Sequence, residues 1–348
     1  MIRRSFHEWE RRLAAVSKND RTVRPFEWGL DWLNPHLPVD QSNGNGRTAA
    51  ASYDALERWV DSVMADSDRF YAAPPTSDYE LKGDRLTFPS AIQTPFDVNN
   101  VVHARYFPAE ESQGGRPRRA VVILPQWNAD GEGHVGLGRL AARFGISALR
   151  LSLPYHDARM PAELRRADYI VSANVGRTVH ACRQAVVDAR RAVGWLASRG
   201  YERIGILGTS LGSCLAMLTA AHEPLIRAAA FNHISPFFAD VVWEGLSTSH
   251  VRQGLETGID LERLRRAWWP ISPYPFFDRV RDRRILLVYA RYDLTFPVSL
   301  SRMFVDEFRR RGIPHNLTVL PCGHYSTGVA PFSWMDAFVL IRFLRKNL

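Results

Sequence analysis

Cysteine is scarce in this chain of 348 residues: Cys182, Cys214 and Cys322 stand alone, odd in number and far apart. Neither a disulfide framework nor the closely spaced thiol pairs of a structural zinc site can be built from them, so reduced, packed thiols in a cytoplasmic protein are the expectation. Lysine occurs only at Lys18, Lys82 and Lys346, so the formal charge of +9 and the pI near 9.8 rest on arginine. The arginines fall in short clusters at 116–119, 263–266, 281–284 and 309–311. Each cluster sits at an expected helix end or loop, which suits a solvated surface better than the continuous basic face of a nucleic-acid binder. No nucleic-acid partner is expected. No apolar run approaches the roughly 18 residues that cross a bilayer, so no membrane span is expected either. Residues 1–13 are charged throughout and lack the apolar stretch of a secretory leader. No internal repeat is present.

What the chain does have is an ordinary globular balance, 46% apolar and 23% charged, enough to bury a large core. Residues 5–16 and 53–64 carry helical spacing, the second with Tyr53, Leu56, Val60 and Val63 on one face. Between them lie an aromatic segment, 26–33, and a polar run, 41–47, whose Gln-Ser-Asn-Gly-Asn-Gly-Arg composition predicts a loop. Residues 1–77 therefore read as a helical N-terminal extension, with 72–76 as linker and the aromatics docking it onto the body of the protein. From residue 78 the pattern changes. Two β-rich stretches, 79–92 and 101–107, predict an antiparallel opening. Strands at 120–124, 146–151, 204–207, 227–232, 285–289 and 316–320 then alternate with helices at 135–144, 177–199, 211–222, 297–311 and 332–344. Gly200 supplies a natural stop for the long helix. Alternation of this kind gives an α/β fold, a mostly parallel central sheet with helices on both faces.

The chemistry centres on Gly208-Thr209-Ser210-Leu211-Gly212, which fits G-x-S-x-G between an apolar strand and a small-residue helix. A serine at the tip of such a turn is strained, and glycines two residues either side leave room for strand and helix to approach. The helix begins directly after the serine, so its free N–H groups face any negative charge that develops there. Asp293 follows a predicted strand and precedes a helix that Pro297 opens in its first turn. His324 lies in the loop after the last strand. Both acid and histidine thus fall at strand C-terminal ends, where such sheets place functional groups.

On Gly208 to Gly212, Asp293 and His324, in the order Ser, Asp, His, residues 79–348 resemble the α/β-hydrolases. The resemblance implies Ser210 as nucleophile, His324 as general base and acid, and Asp293 as the group that orients the imidazole. Asp240, in the loop after the preceding strand, is the rival acid. An oxyanion hole would use the backbone N–H of Leu211 and a second donor from the loop after strand 120–124. Many relatives have His-Gly there; this chain has Pro125-Gln126-Trp127-Asn128, making Trp127, or else Gln126, the donor. The segment Leu153-Pro154-Tyr155-His156-Asp157-Ala158-Arg159, followed by Leu164-Arg165-Arg166, is similar to α/β-hydrolase domain-containing proteins and more loosely to acetyl esterases.

An insertion at about 235–283 occupies the cap position of that superfamily. Its aromatics, Phe237, Trp268 and Trp269 among them, are candidate walls for an acyl pocket, and Arg159 is a candidate substrate contact that could equally brace the elbow. Gly131-Glu132-Gly133-His134-Val135-Gly136 fits G-x-G-x-x-G, but Gly131 comes too late after its strand for a dinucleotide turn, so the glycines read as a loop rimming the site. The expectation is a serine hydrolase of small-molecule carboxylic esters, needing no metal or organic cofactor, with homo-oligomerisation left open. Amide, thioester and lactone hydrolysis use the same groups, and a non-catalytic binding protein is the rival from another class.

Overall fold

The computed structural model describes residues 2–16, 20–33, 49–110 and 117–348; the polar run 41–47 lies outside them. In chain order come helices α1 (Ile2–Ala15), α2 (Ala49–Ala65) and α3 (Ser67–Phe70), then strands β1 (Glu80–Lys82), β2 (Arg85–Pro89), β3 (Val101–Phe107) and β4 (Arg119–Leu124). Next are α4 (Val135–Arg143), β5 (Ser147–Leu151), α5 (Val175–Ser198), β6 (Arg203–Thr209), α6 (Leu211–His222) and β7 (Ile226–Asn232). Three short helices, α7 (Phe238–Glu244), α8 (Ser249–Leu255) and α9 (Leu261–Ala267), lead to β8 (Arg284–Ala290), α10 (Val298–Arg310), β9 (Asn316–Leu320) and α11 (Phe332–Asn347).

Strand alternation builds two cores. Ile204 and Ile206 of β6 face one side of the sheet and Leu207 the other, as the two-residue period of a strand requires. On the first side the sheet packs under α5 and α6. All twelve residues of α6 are buried, which suits a helix apolar around its whole circumference. On the second side Val121, Ala230 and Val288 meet Val135 and Ala141 of α4 and Leu340, Ile341 and Leu344 of α11. The nine strands run in the order β1-β2-β3-β5-β4-β6-β7-β8-β9. The first three are antiparallel to their neighbours, and β5 through β9 are parallel. The sheet reverses direction of growth between β4 and β6, which opens a crevice at their C-terminal ends.

Boundaries moved where caps were not recognised. Helix α5 starts at Val175 because the Asn174 side chain accepts the Arg177 N–H at 2.8 Å, and it ends before Gly200, whose φ of +81° needs a glycine. Pro297 is the N-cap of α10 rather than a first-turn residue. The N-terminal segment is fastened by main-chain bonds: Val175 N–H to Glu27 O at 2.9 Å, Gly176 N–H to Trp28 O at 2.9 Å, and Glu27 N–H to Ala173 O at 3.1 Å. Trp28, Leu30, Leu56 and Val60 belong to the same apolar core as Ile206 and Leu215. The aromatics at 26–33 therefore dock onto the body. Among the described residues no helix is long and apolar enough to cross a membrane.

Candidate active site

Ser210 sits between β6 and α6 at φ 58°, ψ −122°, a conformation that costs a non-glycine residue of order 1–3 kcal/mol. Its surroundings enforce it. A Cβ on Gly208 would lie 2.0 Å from Gly212 O, and one on Gly212 would lie 2.2 Å from Leu124 O and 2.5 Å from Pro125 O. Only glycine permits this approach of helix, elbow strand and the loop after β4. The Ser210 N–H donates to Asn232 O at 2.8 Å, and the Ser213 hydroxyl donates to Ser210 O at 2.6 Å.

From the serine a hydrogen-bond chain runs inward. His324 Nε2 is 3.0 Å from Ser210 Oγ, and His324 Nδ1 is 2.9 Å from Asp293 Oδ2. The other carboxylate oxygen accepts the backbone N–H groups of Thr295 and Phe296 at 2.8 and 2.7 Å. A second histidine joins: His233, at the end of β7, places Nδ1 3.0 Å from the same Asp293 Oδ2. Burial opposes ionisation of Asp293, but the two histidines more than offset it and hold the carboxyl well below its usual range. Burial likewise opposes the imidazolium of His324, yet Asp293 beside it raises the pKa above the ordinary histidine value. His233 is lowered by burial and stays neutral, with its proton on Nδ1 facing the carboxylate. The three side chains could in principle converge on a metal ion. Their separations are already those of hydrogen bonds that satisfy the carboxylate, so the donor set is accounted for without an ion.

His233 was not among the residues singled out from the sequence. A histidine directly after β7, neighbouring both the serine strand and the acid strand, was the available signal. Asp240 is not in this chain of bonds; both its oxygens are held by Arg265 in the insertion, at 2.6 and 2.9 Å.

The loop after β4 is braced rather than free. Trp127 Nε1 donates to Ala167 O at 2.9 Å, and its ring stacks on His250 at 5.8 Å. The Asn128 N–H donates to His156 Nε2 at 2.9 Å, while His156 Nδ1 lies 2.9 Å from Pro154 O. Burial lowers the His156 pKa to about 4, so the neutral ring can accept at Nε2. The Pro154–Arg159 segment thus supports the loop carrying the candidate oxyanion donors. Leu211, Trp127 and Gln126 all line the same cavity as Ser210 and His324.

That cavity has a volume of about 1030 Å³. Phe238, Val241 and Val242 of α7 wall one part, and Leu137 and Leu140 of α4 with Trp334 of α11 wall another. Of the glycine-rich segment, His134 and Gly136 reach the cavity, with Asp130 just before it, while Gly131 and Gly133 are not in its lining.

The pocket residues picked from sequence lie elsewhere. Trp268 is fully buried, its Nε1 donating to Val175 O at 3.1 Å and its ring against Phe238. Phe237 stacks with Trp269 and Tyr274 in a cluster of their own, away from the cavity lining. Arg159 is fully buried and paired with Asp188 at 2.8 Å, with further bonds to Asn99 O and Ser152 O. Trp268 and Arg159 are thus interior, and Phe237 and Trp269 pack half-buried on each other, because an inserted segment must pack its own aromatics before it can offer any to a ligand.

No protein-family model and no curated protein matches the chain. Solved structures do. An acetyl xylan esterase from Paenibacillus sp. R4 is similar at a TM-score of 0.60 and 14% identity, over 90% of this chain and all of that one (100%). An esterase from Pyrobaculum calidifontis is similar at 0.50 and 15%, over 92% and 99%. The acylaminoacyl peptidase of Pyrococcus horikoshii is similar at 0.57 and 14%, over 78% of this chain, which spans only 42% of the peptidase. At these identities the likeness speaks to architecture. The chain has the α/β-hydrolase fold.

Proposed function

We propose that the protein is a serine hydrolase that cleaves carboxylic esters through an acyl-enzyme. One observation carries the reading: Ser210, strained at the elbow and open to the cavity, is joined to Asp293 through both nitrogens of His324. In the proposed reaction Ser210 Oγ attacks the acyl carbon while its proton passes to His324 Nε2. Asp293 holds the ring and stabilises its charged form. The negative charge on the former carbonyl oxygen is met by the N–H of Leu211 and that of Trp127 or Gln126, each such donor contributing roughly 3–4 kcal/mol. His324 then protonates the departing alkoxide. Water repeats the sequence on the acyl-enzyme, releasing the acid and restoring Ser210.

The names of the similar structures support hydrolysis of acyl bonds, and the two esterases named above match over about nine-tenths of this chain and nearly all of their own, whereas the peptidase match covers 42% of that chain. Labelling with a fluorophosphonate probe tests the reading without presuming a substrate. An adduct mapped to Ser210 and lost in Ser210→Ala and His324→Ala is expected. A folded wild type that takes no label would sink it.

A further inference from the structure

The cavity is not electrically neutral. Of the carboxylates that line it, Asp157 is paired with Arg150 at 2.7 Å. Asp130 Oδ1 is spent on the backbone N–H groups of Glu132 and Gly133 at 3.1 and 2.8 Å. Asp336 accepts from the Asn232 amide at 2.9 Å, and burial pushes its carboxyl up to about 7, so much of its charge is lost near neutrality. The carboxylate charge left is that of Asp20, at the exposed rim, and of Asp130, which backbone N–H groups hold but do not neutralise.

Against it stand two arginines in the cavity wall, Arg165 and Arg166. The Arg165 side chain has no hydrogen-bond or ion-pair partner among the described residues. Arg166 lies over the Trp127 ring at 5.5 Å, a ring fixed from its other contacts by Ala167 O and His250. Its Nε is 3.6 Å from Asp168 and makes no hydrogen bond, although it is buried. Asp168 is itself shared with Arg24 at 3.6 Å, and Arg21 is close enough to Arg166 to oppose its charge. So this part of the wall holds more positive charge than its acids neutralise: Arg166 keeps only a loose pair with Asp168, and Arg165 lines the cavity without a partner among the described residues. A planar fork with unspent N–H groups, held on an aromatic face, is built for a carboxylate or phosphate oxygen pair.

We propose that Arg165 and Arg166 form an anion-recognition subsite within the catalytic cavity, and that the substrate is an ester carrying an anionic group in addition to its scissile acyl bond. The apolar walls from α4 and α7 take its hydrocarbon part. This proposal rests on the ester-hydrolase reading, and its test separates the two.

Two pairs of esters differ chiefly in charge, a carboxylate against the matching amide: 4-nitrophenyl hydrogen suberate against its terminal amide, and 4-(butyryloxy)benzoate against 4-(butyryloxy)benzamide. They place the anion on the acyl and the alcohol side in turn. One pair is expected to show a preference of about tenfold in kcat/KM for the anion, the order of one charge-assisted bidentate contact. That ratio should fall at least several-fold in Arg166→Gln and in Arg165→Gln, the latter an exposed position that leaves folding undisturbed. Equal turnover within both pairs, or a ratio unmoved by both substitutions, overturns the proposal. Calorimetric titration of wild type with glutarate, phenyl phosphate and neutral glutaramide reads the subsite independently of catalysis. Stronger binding of either anion, weakened in Arg165→Gln, supports it and distinguishes carboxylate from phosphate; no difference from glutaramide counts against it. Should Ser210 fail to label while the anion binds, the hydrolase reading falls and the subsite stands.

Discussion

Glu10 Oε1, on the first helix of the chain, accepts both the backbone N–H and the hydroxyl of Ser326, at 2.9 and 2.7 Å. Oε2 takes the N–H of Tyr325 at 2.8 Å, and the carboxylate is wholly buried. A Cβ on Gly323 would come within 2.3 Å of the Glu10 side chain, so the loop bearing His324 is moulded onto it. Phe6, one turn earlier, stacks on Tyr292 beside Asp293 at 4.5 Å. Helix α1 therefore braces the loops of both the acid and the histidine, and we propose Glu10 as a positioning residue.

Glu10→Ala leaves three donors buried without an acceptor, and a loss of about 2–4 kcal/mol in stability is expected. Glu10→Gln separates positioning from mere packing. After Asp293, Glu10 supplies negative charge that favours protonated His324. Removing that charge lowers the His324 pKa, so the acidic limb of the kcat/KM profile should move to lower pH. A limb that stays in place while stability drops would confine Glu10 to a structural role.

Gly212→Ala is expected to remove activity for a different reason. The new Cβ meets the backbone carbonyls of Leu124 and Pro125, neither of which can rotate away as a side chain would. Either α6 shifts or the loop bearing Trp127 and Gln126 does, and both carry candidate oxyanion donors. A fall in kcat of at least about 100-fold, the value of one such donor, is expected. Ser210 should still be present and folded by circular dichroism. Wild-type kcat would show that the loop has slack the contacts deny.

The sheet, the elbow and the order Ser, Asp, His were legible because each rests on local pattern: apolar alternation, glycines around one serine, polar residues at strand ends. What was not legible depends on long-range contact. Nothing near residue 10 marks it as the acceptor for a loop more than 300 residues away. His233 becomes meaningful only once β7 lies between the strands that lead to Ser210 and Asp293. Aromatic content in the insertion suggested a pocket, but Trp268 and Phe277 turned inward, and of those aromatics it is Phe238 that reaches the cavity, beside valines of α7 and leucines of α4.

Arg159 shows how such an ambiguity resolves. With its charge wholly buried against Asp188, and Ser90 also donating to that carboxylate at 2.7 Å, it braces the core. Arg159→Ala strands the Asp188 charge and should cost about 3–5 kcal/mol of stability. Protein that remains folded should keep its KM. A raised KM with unchanged unfolding midpoint would return Arg159 to substrate contact.

Acid sensitivity follows from the histidines. Burial lowers His134, His156, His180, His222 and His250 to about 4, and lowers His7, His103 and His233 as well. An unfolded histidine takes its proton near 6.5. Between about pH 6.5 and 4 the unfolded chain thus binds protons that the folded chain refuses, so folding stability falls as pH falls through that window. Asp168, Asp188 and Asp336, raised by burial, and His324, raised by Asp293, act the other way, because the folded chain holds their protons longer. The lowered group is the larger, and each uncompensated proton is worth about 1.4 kcal/mol per pH unit. The unfolding midpoint should therefore drop steeply from pH 6.5 to 4.5. His250 isolates one share of it, since neither ring nitrogen has a partner and the ring serves as a stacking surface for Trp127. His250→Phe keeps the stack, removes two stranded nitrogens and should flatten the pH slope by about one proton. An unchanged slope in that variant would mean that His250 is already charged in the folded protein.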